Sequence, residues 1–147
     1  MIKKHRQSVL LLGIFYMFIG CVQAAAPSLT APEALDKLRA GELTLIDVRT
    51  PSEWRQTGVA PHALRIDMHD PNGVDGFAEK VLTAVHGDQS APIAVICRTG
   101  NRSSYTQQEL MSRGFSHVFN IPEGMVGTKA GSGWIGHGLP VEPCPDC

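Results

Sequence analysis

The run Ile93-Ala94-Val95-Ile96, followed without a break by Cys97-Arg98-Thr99-Gly100-Asn101-Arg102-Ser103, constrains this chain more than any other stretch. Successive apolar residues without polar alternation describe a strand covered on both faces, the habit of parallel strands in α/β proteins. The polar loop then leads into a segment with Tyr105, Leu110 and Met111 at helical spacing, so the unit reads strand, loop, helix N-terminus. Cys97 thus stands at the carboxyl end of a strand, facing a helix start and two arginines, Arg98 and Arg102. Thiolates form most readily in such surroundings, because helix N-termini and cations favour the charged form. The loop's successive backbone N–H groups also suit an anion. A nucleophile beside an anion site implies covalent chemistry on a negatively charged substrate, and requires Cys97 to be reachable from solvent.

The remaining segments alternate in the same way. Thr30-Ala31-Pro32-Glu33 is a capping box with proline in the first turn, Ala34, Leu35 and Leu38 give an apolar face, and Gly41 ends the helix. Leu43 to Val48 reads as a covered strand, Pro51 to Gln56 as a short helix, and Ala63 to Ile66 as another strand after Gly58. Asp70-Pro71-Asn72-Gly73 is a loop, and Phe77, Val81, Leu82 and Val85 recur at helical spacing. After Gly114 comes a last short strand, Val118 to Ile121, and then a glycine-rich stretch from Gly124 to Gly138 in which the pattern places no element. The class is α/β with a mainly parallel sheet. Ligands bind such sheets outside the strands' carboxyl ends, where Asp47-Val48-Arg49 and Cys97 both fall.

The front of the chain has a different character. Lys3, Lys4, His5 and Arg6 precede an apolar run from Val9 to Ile19, and Val22-Gln23-Ala24 offers small residues for a signal peptidase. Residues 1–24 are therefore expected to be a signal peptide and 25–30 a linker, which places the domain in the periplasm or outside the cell. A lipoprotein box ending at Cys21, which would attach the protein to a membrane, and an uncleaved anchor are the alternatives. Of 13 basic and 14 acidic residues, the leader holds Lys3, Lys4 and Arg6, leaving 10 against 14. That balance gives no basic face for nucleic acid. Cys97, Cys144 and Cys147 remain, an odd number in an oxidising compartment, so Cys97 is expected to be free or engaged in exchange.

Together these pieces resemble a single-domain rhodanese, a sulfurtransferase. The resemblance rests on Leu45-Ile46-Asp47-Val48-Arg49 with Glu53-Trp54 and Gly58, on Ala94 through Ser103, on Leu110-Met111-Ser112-Arg113-Gly114-Phe115, on Val118 to Ile121 with Glu123-Gly124-Met125, and on Gly138 to Glu142. Val59-Ala60-Pro61-His62-Ala63 and Arg65 depart from the family pattern at the rim of the site. The resemblance implies a rhodanese-like α/β fold, a five-stranded, largely parallel sheet with helices on both faces, spanning residues 31–143. It also implies that Cys97 takes a sulfane sulfur from a donor such as thiosulfate, forms a persulfide, and passes the sulfur to a thiol, cyanide or protein acceptor. The amides of residues 98–102 would stabilise the charged sulfur as an oxyanion hole stabilises oxygen. Arg98, Asn101 and Arg102 would line the anion site, Thr99 and Ser103 would donate hydroxyls, and Gly100 lets the backbone close tightly. No cofactor or metal is expected.

Asp47 and Arg49 are expected to support the site rather than react, Asp47 by accepting loop amides and Arg49 by pairing with Glu53. Trp54 and Trp134 are packing residues, and His62, His69, His86, His117 and His137, lacking metal-ligand spacing, are surface or loop residues. Cys144-Pro145-Asp146-Cys147 reads either as a local disulfide in a flexible tail or as a working redox pair. A thiol–disulfide redox protein, a cysteine phosphatase or arsenate reductase, and a non-catalytic binding module are the rival functions. The phosphatase class places its arginine six positions after the cysteine, where this chain has Ser103.

Overall fold

Two capping boxes start the helices that open the domain, seen in a computed structural model that describes residues 25–147. The leader expectations for residues 1–24, Cys21 included, lie outside the described residues. Thr30 accepts the Glu33 N–H while the Glu33 carboxylate accepts the Thr30 N–H, launching α1 (Ala31–Arg39). Thr50 and Glu53 repeat the device at α2 (Pro51–Thr57). Between and after them run β1 (Thr44–Asp47), β2 (Leu64–Arg65), α3 (Gly73–Ala84), β3 (Ile93–Ile96), α4 (Asn101–Ser112), β4 (Val118–Asn120) and α5 (Gly133–Gly136).

The strands lie parallel in the order β2-β1-β3-β4, with Asp47 opposite both Ile96 and Arg65. All carboxyl ends therefore open on one edge. Side chains alternate across the sheet. Ile46, Val48, Val95 and Cys97 pack with Phe77, Val81 and Leu110 from α3 and α4. Leu45, Ala94 and Ile96 pack on the other face with Leu35, Met125 and the fully buried Trp134. The rhodanese-like α/β architecture, helices on both faces, is the expected one.

The strand number differs. Among the described residues the sheet has four strands, where five were expected. The segment that would supply another is reduced to one parallel bridge, Ser28 to Asn120, with Leu29 N–H donating to the Asn120 carbonyl at 2.9 Å and Asn120 N–H to the Pro27 carbonyl at 3.1 Å. Pro27 lacks an N–H, and Thr30 already turns the chain into α1, so no longer ladder forms. The stretch expected as a linker is thus laid against β4, and buried Gln107 fastens it by donating to the Pro27 carbonyl at 2.6 Å and the Val118 carbonyl at 2.7 Å.

The glycine-rich stretch is ordered around Glu123. Its carboxylate, 2% exposed, accepts the Ala31 N–H at 2.6 Å, the Gly133 N–H at 2.8 Å and a 2.8 Å contact from His137 Nε2. Burial pushes this carboxyl up, but the amide and imidazole partners outweigh it and hold it below the usual range. One side chain thereby ties the starts of α1 and α5 together, and His137 is a structural partner instead of a bare surface residue.

Candidate active site

The loop between β3 and α4 owes its shape to glycine and to the segment that follows β4. Gly100 takes the left-handed conformation at φ 86°, and a Cβ there would stand 2.1 Å from the Pro122 carbonyl oxygen. Gly124 sits against the Arg98 carbonyl in the same way, at 2.4 Å from a would-be Cβ. The Cys97 and Arg98 carbonyls accept the Met125 and Val126 N–H groups at 2.9 and 3.1 Å. In a trans peptide the next N–H points opposite to the carbonyl, so the N–H groups of Arg98 and Thr99 are turned away from that segment. Gly100 N–H donates to Cys97 Sγ at 3.1 Å. The Arg98, Thr99, Asn101, Arg102 and Ser103 N–H groups meet no acceptor among the described residues. These are loop amides and first-turn donors of a helix, the groups that bind anions.

Ser103 donates its hydroxyl toward Cys97 Sγ at 3.4 Å and toward the Gly100 carbonyl at 3.0 Å. Thr99 does not reach the sulfur. It is exposed and, with Asn101, Pro122, Thr128 and Lys129, lines an open cavity of about 510 Å³.

Three expectations are corrected. Cys97 is 1% exposed and packs in the apolar cluster with Val48 and Phe77, so the thiol is covered, not open. A side chain with its strand's alternation toward the α3/α4 layer has that layer as its lid. Arg102 is committed to a carboxylate: its Nη1 and Nη2 donate to Glu53 Oε2 and Oε1 at 2.8 and 2.5 Å. Arg49 does not pair with Glu53. It grips Asp47 instead, with Nε at 2.9 and 3.0 Å and Nη2 at 2.6 Å from the carboxylate oxygens. Its remaining donors go to the Thr57 hydroxyl at 2.6 Å and the Gly58 carbonyl at 2.8 Å. Asp47 also accepts the Arg49 N–H at 3.1 Å, as a carboxylate at a sheet end was expected to do. Arg98 projects to solvent, which leaves it as the arginine of the loop that is exposed and unpaired among the described residues.

Residues 30–130 match the family model of the rhodanese-like domain. The chain belongs to that family. It is similar to an uncharacterized protein of Rickettsia conorii, RC0915, at 31% identity over 104 residues, covering 65% of this chain and 80% of the relative. It is also similar to the thiosulfate sulfurtransferase GlpE of Pseudomonas syringae pv. syringae, at 29% identity over 93 residues, covering 63% of this chain and 78% of the relative. Among solved structures, the polysulfide-sulfur transferase homodimer of Wolinella succinogenes is similar at 26% identity and a TM-score of 0.59, covering 80% of this chain and 78% of that one. The family and these relatives support a sulfurtransferase-like enzyme.

Within this rhodanese-like domain, Glu53 is the residue to which sequence reasoning gave the wrong partner, Arg49 in place of Arg102. Its signal was its place at N3 of a capping box, which fixes a carboxylate at the start of α2, but only the fold brings α4 to it. Hydrogen bonding to Arg102, offset by burial and reinforced by Thr50, lowers its carboxyl to about 2. Arg102 in turn is held above its ordinary value by Glu53, with smaller contributions from Cys97 and Asp47. Because the folded value lies below the unfolded one near 4.5, the clamp's contribution is complete above about pH 4.5 and lost as pH falls toward 2. Thermal midpoints of wild type and Glu53→Gln are expected to differ at pH 6 and to converge across that window. Parallel curves would mean that the pair does not hold the loop.

The tail is docked on the domain. Val59 and Glu142 exchange backbone hydrogen bonds at 2.9 and 2.8 Å, and Cys144 and Cys147 form a disulfide. Arg65 Nη1 contacts both Cys144 Sγ and Cys147 Sγ, and Arg55 donates to the Cys147 carbonyl.

Proposed function

We propose that this protein moves a sulfane sulfur through a persulfide on Cys97. The Cys97 thiolate attacks the outer sulfur of thiosulfate, the donor's S–S bond breaks, and sulfite leaves with the electron pair; with a polysulfide donor the shortened polysulfide leaves instead. A thiophilic acceptor then attacks the terminal sulfur and regenerates the thiolate, a two-stroke cycle with the group held covalently between strokes. The observation that carries this reading is the Gly100 N–H on Cys97 Sγ, beside neighbouring amides that have no acceptor of their own. Such donors stabilise charge on a sulfur without reorganising during reaction.

The details of the loop favour sulfur over phosphate as the cargo. The position six residues after Cys97 holds Ser103, whose hydroxyl serves the sulfur, and Arg102 is already spent on Glu53. Among the described residues no guanidinium of the loop is left to close over a tetrahedral oxyanion. Arg98 remains to attract the anionic donor from solvent. Because Cys97 is covered, loading includes a local opening. The route we assign is the cavity of about 350 Å³ lined by Met68, His69, Phe77, Tyr105 and Thr106, since Phe77 and Met68 pack in the cluster that covers the cysteine. The leader pattern and the Cys144–Cys147 disulfide both support an oxidising compartment outside the cytoplasm.

Intact mass after incubation with thiosulfate or polysulfide tests the proposal. A gain of one sulfur, about 32 Da, is expected, absent in Cys97→Ser and removed by cyanide or a thiol. Absence of the adduct with every donor would sink the sulfurtransferase reading.

A further inference from the structure

The geometry points to a second reactive site, at the tail: we propose that Cys144 and Cys147 are a thiol–disulfide exchange pair that takes electrons from an external dithiol, with Arg65 stabilising the thiolate that leaves. Three observations carry it. Arg65 Nη1 is in contact with both sulfurs. Cys144 and Cys147 are half-buried rather than sealed, and Arg65 beside them is exposed, so an attacking thiolate can arrive from solvent. Finally, the pair is held in place on either side. The Glu142–Val59 bridge anchors its approach, and Arg55 binds the Cys147 carbonyl. The Arg65 backbone is fixed by its register opposite Asp47.

A disulfide kept only to staple a tail has no use for a cation on its sulfurs. The charge matters when the bond breaks, because exchange speeds up as the leaving thiolate is better stabilised. The external thiolate attacks one sulfur of the pair, the Cys144–Cys147 bond breaks, and the other sulfur departs as a thiolate against Arg65. The second external thiol then attacks the mixed disulfide. The pair gains two electrons and two protons, and the external dithiol becomes its own disulfide. Two cysteines separated by two residues close such a ring readily in the reverse direction. This site is independent of Cys97 and of the sulfur-transfer proposal.

The test uses the full chain with Cys21→Ser and Cys97→Ser, so that only the tail pair can react, and dithiothreitol as the dithiol. Acid quenching, alkylation and intact mass count the thiols released. Reduction is expected to be at least about 10-fold faster than in the same protein carrying Arg65→Gln, with Arg65→Lys falling between. Once reduced, the pair's alkylation rate is expected to rise at lower pH with Arg65 present than with Gln, a readout that a merely structural contact would not move. Equal reduction rates with superimposable alkylation profiles would overturn the proposal. So would Arg65→Lys reacting as slowly as Arg65→Gln, because the charge would then not be the agent. Should Arg65→Gln fail to fold, Arg65→Ala carries the comparison, and a reduction rate equal to the parent's there overturns it equally.

Discussion

Gly100→Ala is expected to slow sulfur loading by at least about 100-fold, the scale of loss that an ångström-level misplacement of a reacting group brings. Gly100 stands at φ 86°, and a Cβ would meet the Pro122 carbonyl oxygen at 2.1 Å and its carbon at 2.8 Å. Both neighbours are backbone, so no side chain can swing aside to make room. The loop itself has to move, and the atom that moves with it is the Gly100 nitrogen, whose hydrogen bond to Cys97 Sγ is the contact on which the chemistry is argued to rest. Part of any effect will come from forcing alanine into the left-handed region, a cost of about 1–2 kcal/mol wherever it occurs. Gly87 separates the two contributions: its φ is 82°, and nothing lies within 4 Å of a would-be Cβ. Gly87→Ala is expected to lower the thermal midpoint modestly and to load sulfur at the wild-type rate. Loading by Gly100→Ala at the rate of Gly87→Ala would show that the amide contact does not matter to the reaction.

The contrast between these glycines also explains what could and could not be read in the sequence. Elements set by local chemistry were legible. The apolar run Ile93 to Ile96 is a strand buried along its whole length, and the capping box at Thr30 starts α1 where expected. The loop from Cys97 to Ser103 was legible as the turn from a strand into a helix. Contacts made between distant segments were not legible. Glu53 and Arg102 lie 49 positions apart. The stretch from Gly124 to Gly138 carries too little periodicity to show α5, since its order comes from the buried Glu123 carboxylate. Cover over Cys97 is a property of the α3/α4 layer and not of the loop, so a motif that promises a nucleophile says nothing of its exposure. The tail's docking depends on Arg65 and Arg55, which are remote from it in sequence.

Arg49→Met is expected to cost about 3–5 kcal/mol of stability, the loss typical of breaking a buried ion pair from one side. Arg49 and Asp47 are both fully buried, and the guanidinium is bonded along its whole edge, to the carboxylate, the Thr57 hydroxyl and the Gly58 carbonyl. Methionine fills much of the same volume, so the expected loss comes from the carboxylate left without a partner in the sheet and not from a void. Removing the acid as well reverses most of the damage: Asp47→Leu combined with Arg49→Met is expected to recover more than half of the loss. The remainder reflects the Thr57 hydroxyl and the Gly58 carbonyl, which lose the guanidinium as donor and keep the bond between themselves, at about 1–3 kcal/mol between them. Urea unfolding curves for the wild type, the single variant and the double variant measure this directly, with the shift in midpoint at unchanged slope giving the energy. The same proteins, kept well below their midpoints, separate support from chemistry. Neither Asp47 nor Arg49 contacts the Cys97 sulfur, so the folded fraction of the double variant should still gain sulfur on that residue. A double variant as unstable as Arg49→Met alone would mean that the pair's grip on the turn after α2, and not the compensation of one charge by the other, is what the sheet edge requires.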